Sequence, residues 1–135
     1  GRERFILVYG FCSETLRRKL QKRNPITNRP YGRVAPACDQ HMAHESKKNG
    51  DPHCAKLGAA CDFKIQGENP RQVIRWMLES GLPFDRIYFY GEDRAIHVSY
   101  GPDHSRYICG FNCANMPSKE PVKELIELVK KRYQI

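Results

Sequence analysis

Apolar residues are spaced along the chain in ways that predict several short strands. Residues 4–9 form an apolar run that Gly10 closes, which predicts a short buried strand. Residues 59–65 alternate between apolar and polar positions, so they predict a strand with one polar face. The runs 84–90 and 95–100 are rich in aromatic and β-branched residues, and the four residues between them predict a hairpin loop.

Three other segments carry apolar residues at helical spacing. Ser13 can cap a first helix with a single apolar stripe, which the Asn24-Pro25 pair ends. The Asn69-Pro70 pair supplies a cap and a first-turn proline for a second helix, and Gly81 suits the left-handed residue after its end. A third helix is predicted to begin near Ser118 and to bury five apolar side chains, namely Val122, Leu125, Ile126, Val129 and Tyr133.

The remaining long segment, residues 24–56, has no sustained period of either kind and is interrupted by prolines and glycines. A loop of this length inside a compact domain is often functional. The predicted architecture is α+β, with a small antiparallel sheet packed against helices. Because the chain has 135 residues, we expect residues 1–135 to form a single domain with one core.

The charge of the chain adds to this picture, because it has 23 Lys and Arg residues but 15 Asp and Glu residues, for a net charge of +8. Part of the excess lies in a stretch without acids that contains Arg17, Arg18, Lys19, Lys22, Arg23, Arg29 and Arg33. Such a stretch predicts contact with nucleic acid, an anionic cell-wall polymer or a membrane surface, and the alternative is a solvated helix face. No run reaches the ~20 apolar residues that a membrane-spanning helix needs, so we expect no membrane span.

The six cysteines bear on the cellular compartment. An even number in a small secreted protein would predict disulfides. The sequence carries no evident secretory signal, so we expect free thiols and a cytoplasmic location. A structural zinc site is an alternative role for four of them, although no Cys-x-x-Cys pair is present; these four are Cys38, Cys54, Cys109 and Cys113.

Two histidines and one acid are predicted to meet at one end of the sheet. Asp62 lies in the strand predicted over residues 59–65, and His97 lies in the second arm of the hairpin. If the loop at His53 folds back on the first of these strands, two imidazoles and a carboxylate converge. Three protein ligands that leave a fourth position for water are typical of catalytic zinc, which lowers the pKa of that water to about 7.

Other interpretations of these residues stay open. His53 can be an ordinary loop histidine, and His97 can be a cross-strand partner. Asp62 requires a pairing or a ligand if it is buried, because it lies in an otherwise apolar strand. A second cluster of potential ligands, His41, His44 and Glu45, would share one face if its segment were helical.

The order of these motifs resembles a known family. His53 is followed by Gly58-Ala59-Ala60-Cys61-Asp62-Phe63, then by one predicted helix and by two further segments, Gly81-Leu82-Pro83-Phe84-Asp85-Arg86-Ile87 and Ile96-His97-Val98-Ser99-Tyr100-Gly101. Over about residues 45–102 this order resembles the zinc D-alanyl-D-alanine carboxypeptidases, whose superfamily includes phage endolysins and the hedgehog signalling domain. The resemblance implies zinc held by His53, Asp62 and His97. It also implies hydrolysis of a peptide bond, such as one in a peptidoglycan stem peptide.

The chain departs from the family pattern at two positions. The family places its first histidine three residues before the glycine, where this chain has Ala55. Its catalytic glutamate corresponds to Tyr90. If the chain is a hydrolase, Glu92 or Asp93 in the hairpin loop is expected to serve as the general base.

Two classes of function therefore follow from the sequence. The first is a zinc-dependent hydrolase for a peptide or cell-wall substrate, with Arg29 or Arg33 holding a substrate carboxylate. The second is an inactive relative of the same fold that binds an anionic polymer such as nucleic acid. That module would use the basic stretch and aromatic residues such as Tyr31.

Overall fold

A computed structural model describes residues 4–135 as a six-stranded mixed sheet with three α-helices, which confirms the predicted α+β class. The elements are β1 (Phe5–Tyr9), α1 (Glu14–Gln21), β2 (Ala59–Ile65), α2 (Pro70–Glu79), β3 (Arg86–Phe89), β4 (Ile96–Tyr100), β5 (Tyr107–Phe111), β6 (Pro117–Ser118) and α3 (Lys123–Tyr133). Within residues 4–135, no helix combines the length and the apolar character that crossing a membrane requires.

The strands follow the order β1-β2-β4-β3-β5-β6. The predicted hairpin is present as the antiparallel pair β3 and β4. The sheet is mixed rather than purely antiparallel, because β5 pairs in parallel with β3. After β4 the chain crosses back through residues 101–106 and joins the free edge of β3, so β5 runs in the same direction as β3. The strand β5 was not predicted from the sequence.

One face of the sheet is covered by α2 and α3. The helix α2 begins where Asn69 caps it, through an Oδ1 that accepts a hydrogen bond from the Arg71 N–H at 2.8 Å, and Pro70 fills the first turn. Gly81 follows the helix with a φ of +73°, the left-handed conformation that glycine adopts at little cost. The core beneath these helices consists of Phe63, Val73, Ile74, Leu78, Phe84, Ile87, Phe89, Ile96, Ile108, Val122, Leu125 and Val129.

The opposite face of the sheet is polar where its central strands meet. Asp62 of β2 lies directly across from His97 of β4, and His97 lies across from Tyr88 of β3. Because successive side chains of a strand point to opposite faces, these three residues share the face away from the helices. Their chain neighbours Phe63 and Ile96 are buried in the core.

A short 3₁₀ turn, Gln40–Met42, fastens the long loop to this face. The Gln40 side-chain amide donates to the Asp85 Oδ2 at 2.9 Å and to the Leu57 carbonyl at 3.1 Å. The Cys12 N–H donates to the His41 carbonyl at 2.9 Å. The turn is therefore held by residues just before β2 and β3 and by the segment after β1, and its three residues are buried.

The first strand forms as predicted, but it is not buried. It lies at one edge of the sheet and pairs only with β2. Phe5, Ile6, Leu7 and Val8 all remain exposed. An apolar run predicts a strand without specifying whether the strand is central or at the edge, and here α2 and α3 cover the central strands instead.

Candidate metal centre

Three potential metal ligands converge at the polar face, namely His41, Asp62 and His97. The His41 Nε2 lies 3.2 Å from the His97 Nδ1 and 3.3 Å from the Asp62 Oδ1. The His97 Nδ1 lies 2.9 Å from the same Asp62 oxygen. Both histidines are buried, whereas the Asp62 side chain is 21% exposed, so the group faces a solvent-accessible space.

The spacing of these three atoms suits a zinc ion. Zinc bonds of about 2.0–2.1 Å in tetrahedral geometry place neighbouring ligand atoms about 3.3 Å apart. The His41 Nδ1 lies 2.6 Å from the Gly10 carbonyl, which can only accept a hydrogen bond. Nδ1 therefore carries a proton, and Nε2 becomes available to a metal when it gives up the proton that it shares with Asp62, an arrangement that metal-binding histidines commonly use.

The electrostatics of the metal-free cluster favour an ion pair. Burial alone would lower the pKa of His41, but its hydrogen bond to Asp62 and the charges of Asp39 and Asp62 raise it above its usual value. Burial alone would raise the pKa of Asp62, yet the hydrogen bonds from His41 and His97 lower it to about 2. A metal cation at the same point would replace the shared proton as the positive partner of Asp62.

The structure brings together two of the three predicted ligands and places the third elsewhere. The His53 Nε2 lies 2.8 Å from the Glu14 Oε2 at the start of α1, and the His53 N–H donates to the Glu45 carbonyl at 2.9 Å. The loop therefore turns His53 towards α1, and His41 completes the cluster instead. From the sequence, His41 was expected only in the alternative cluster with His44 and Glu45; in the structure His44 is exposed.

The cluster lies in a cleft of about 930 Å³. Its lining includes three tyrosines, Tyr9 of β1, Tyr88 of β3 and Tyr90 directly after β3, and three cations from three different segments. The cations are Arg33, Lys64 and Arg94, and no side-chain hydrogen bond or ion pair involves them within residues 4–135. Of the two predicted carboxylate-binding residues, Arg33 lines the cleft, whereas Arg29 is exposed in the loop and does not.

The two hairpin acids do not line the cleft. Glu92 accepts hydrogen bonds from the Asn69 amide and from the Arg71 Nε, the latter at 3.3 Å, which hold it at the start of α2. Asp93 is exposed at the tip of the hairpin. Their predicted role as general base therefore finds no support in the geometry, because the turn directs both side chains away from the cluster.

Two other residues with ionisable side chains, Tyr90 and Asp39, line the cleft that holds the cluster. Tyr90 lines the cleft, and its burial together with the negative charge of Asp62 raises its pKa. Asp39 also lines the cleft, and its Oδ1 accepts the His41 N–H at 2.9 Å. Among residues 4–135, Asp39 and Asp62 are the two acidic residues that line the cleft. The position of Asp39 two residues before His41 was visible in the sequence, but nothing there linked it to Asp62.

The cysteines are unpaired in the structure. Cys54 and Cys109 are buried, whereas Cys38 and Cys113 are exposed. Among residues 4–135, the His41, Asp62 and His97 cluster is the group of three or more potential ligands that lies close enough to hold an ion, so the four-cysteine alternative has no counterpart there.

No family model, curated protein or solved structure matches this chain. The cleft and its residues are therefore the basis for inferring a function.

Proposed function

We propose that the chain is a zinc-dependent hydrolase that cleaves a peptide bond in the cleft, with zinc held by His41, Asp62 and His97. The observation that carries the proposal is the triangle of ligand atoms with edges of 2.9–3.3 Å, in which the Gly10 carbonyl fixes the proton of His41 on the far nitrogen. Three ligands leave one coordination position for water or substrate, as in catalytic zinc sites.

Zinc bound there would polarise a substrate carbonyl and lower the pKa of its water. The chain supplies the remaining groups. The Asp39 carboxylate lines the cleft beside His41 and can accept the proton that an attacking water loses. Tyr90 stays neutral because its pKa is raised, so its hydroxyl can donate a hydrogen bond to a developing oxyanion. Arg33, Lys64 and Arg94 can hold a carboxylate of the substrate.

The metal is tested by elemental analysis of the protein after dialysis against zinc and then against metal-free buffer. About one zinc per chain is expected, and His41→Ala and His97→Ala are expected to lose it. His53→Ala is the matched control, because His53 lies against Glu14, and it should keep its zinc. Zinc loss in His53→Ala with retention in His41→Ala would overturn the assignment of ligands.

The reaction is tested by incubating the zinc protein with peptidoglycan and with short peptides that end in a free carboxylate. We expect Asp39→Asn to lower turnover by about 10²- to 10⁴-fold while zinc stays bound, since that is the usual effect of losing a general base. Glu92→Gln serves as the control and should leave turnover unchanged, because Glu92 pairs with Arg71. Absence of turnover on all substrates would remove the hydrolase proposal.

A second candidate function is a zinc-containing binding module for an anionic polymer such as nucleic acid. The observation that favours it is Tyr90 in place of the family's glutamate, together with exposed basic residues in the loop after α1; these are Lys22, Arg23 and Arg29. Binding of single-stranded nucleic acid should then weaken steeply with salt, and Arg23→Ala with Arg29→Ala should reduce that salt dependence. Binding that is independent of salt would argue against this module.

A further inference from the structure

The outer edge of β1 exposes apolar residues that the proposed metal site does not account for. Phe5, Ile6, Leu7 and Val8 are 49%, 45%, 59% and 54% exposed, although all four are large and apolar. An edge strand is usually protected from pairing by a charge, a proline or a covering segment. Residues 5–9 contain no charged residue and no proline.

The backbone of this edge is also open to a partner. The Arg4 carbonyl accepts the Gln66 N–H at 2.7 Å, so the Arg4 and Gln66 pair belongs to the hydrogen-bonded pairs of the β1 and β2 ladder. Such pairs alternate along antiparallel strands, which places the N–H and C=O groups of Phe5 and Leu7 on the side away from β2. Within residues 4–135, no backbone hydrogen bond reaches Phe5 or Leu7 from that side.

We propose that this edge pairs with the same edge of a second copy of the chain, antiparallel and about a two-fold axis at Ile6. The backbone groups that point outward belong to Phe5 and Leu7, so antiparallel pairing is fully bonded when Phe5 lies opposite Leu7 of the other copy. This register places Ile6 opposite Ile6 of the other copy at the axis. Both cross-strand pairs are apolar, and no like charges meet within residues 5–7.

A copy of the same strand suits the edge better than a segment with one polar face. Phe5 packs on Phe63 with the ring centroids 5.2 Å apart, so Phe5 and Leu7 lie on the helix side of the sheet. Ile6 and Val8 lie on the cleft side, where Val8 lines the cleft. A partner strand must therefore offer apolar side chains on both faces, which β1 itself does.

The area of this edge sets the expected strength of the dimer. The exposed apolar surface of residues 5–8 with Phe11 is on the order of 400 Å², within the range of about 300–600 Å² for the largest patch of an ordinary monomer. Stable complexes bury about 800 Å² on each partner. The dimer is therefore weak and concentration-dependent, forming at roughly 10–100 µM.

Pairing about this axis joins two six-stranded sheets into one continuous sheet. A two-fold axis perpendicular to the sheet keeps equivalent faces on the same side. The two clefts consequently open on one side of the dimer, with the Val8 residues of both copies between them.

The self-association is tested by sedimentation velocity over roughly 5–200 µM protein. We expect the wild type to shift from monomer to dimer across this range and Leu7→Pro to remain monomeric. Proline removes the outward N–H of Leu7 without breaking a bond to β2, a position that edge strands tolerate. Leu7→Ala is the matched control, because it keeps the N–H and should weaken the dimer less than Leu7→Pro does.

Cross-linking tests the register and does not depend on whether Leu7→Pro folds. In a Cys38→Ser and Cys113→Ser background, which removes the exposed thiols, Ile6→Cys should form a disulfide-linked dimer on mild oxidation. Residues opposite each other in a pair without hydrogen bonds have Cα atoms about 4.5 Å apart, which suits a disulfide. Val8→Cys is the control, because its equivalent atoms lie roughly 13 Å apart in this register.

Three results would overturn the proposal. These are a monomeric wild type at every concentration, equal dimerisation of Leu7→Pro and Leu7→Ala, and cross-linking of Val8→Cys in preference to Ile6→Cys. The first would assign the edge to an extended segment of another protein. These three results concern self-association and cross-linking, whereas zinc content and turnover test the proposed hydrolase, so either proposal can fail without the other.

Discussion

The two faces of the central sheet pack against their neighbours through different kinds of contact. On the helix side, twelve apolar side chains pack into one core, and most of them belong to strands and α-helices. On the cleft side, polar contacts bring Asp62 and His97 together with a turn about 20 residues before β2. Side chains in the core can be recognised by their spacing, whereas contacts in the cleft depend on where a loop is anchored.

The largest effect is expected on the helix side. Ile74 is fully buried between α2 and the sheet, so Ile74→Ala should lower the free energy of unfolding by about 2–5 kcal/mol. Denaturant unfolding of the metal-free protein measures it. Ile26→Ala is the control, because Ile26 is 91% exposed, and its unfolding free energy should change by less than about 0.5 kcal/mol.

On the cleft side, removal of the metal is expected to have the second-largest effect on the free energy of unfolding. A ligand at 100 to 1,000 times its dissociation constant stabilises the folded state by about 2.7–4.1 kcal/mol. A chelator should therefore lower the unfolding free energy of the zinc-loaded wild type by about that amount. His97→Ala should show no response to the chelator, and an equal response in both proteins would place the metal elsewhere.

Most of what could be predicted from the sequence consists of individual strands and helices. The caps at Ser13 and Asn69 and the alternation in β2 identified their elements, because these features act over a few residues. The hairpin prediction further placed His97 where it pairs with Asp62. β5 was missed because residues 107–111 mix aromatic, glycine and cysteine residues without a clear period.

The third member of the cluster could not be predicted by the same reasoning. His41 reaches Asp62 because its neighbour Gln40 binds Asp85, 45 residues further along the chain. No local pattern reports a contact of that separation. The resemblance pointed instead to His53, whose ring lies against Glu14.

The hydrogen bond from Gln40 to Asp85, which anchors the turn, can be removed by mutation. Gln40→Ala removes a donor from the Asp85 carboxylate, which is 1% exposed, and should cost about 1–3 kcal/mol of unfolding free energy. Because the same turn carries His41, we expect zinc affinity to fall as well. Gln66→Ala, at an exposed position, is the matched control for both measurements. Unchanged zinc affinity in Gln40→Ala would show that the turn holds its place without the anchor.

The smallest effect concerns pH in the metal-free protein. The pKa of Asp62 falls from 3.8 to about 2, so its contribution to stability is present above pH 3.8 and is lost as pH falls towards 2. The pKa of His41 is raised above 6.5, so its contribution is present below pH 6.5 and is lost as pH rises through the raised value. The two contributions overlap between about pH 4 and 6.5, where the ion pair is complete.

Asp62→Asn removes that ion pair while keeping the shape of the side chain. We expect the unfolding free energy of the metal-free wild type to exceed that of Asp62→Asn most at about pH 5.5, by on the order of 1–2 kcal/mol. The difference should shrink at about pH 2.5, where the unfolded carboxyl is already protonated, and again above pH 6.5 as the pH rises through the raised pKa of His41. A difference that stays constant with pH would mean that Asp62 stabilises the cleft side through shape alone, as the apolar residues stabilise the helix side.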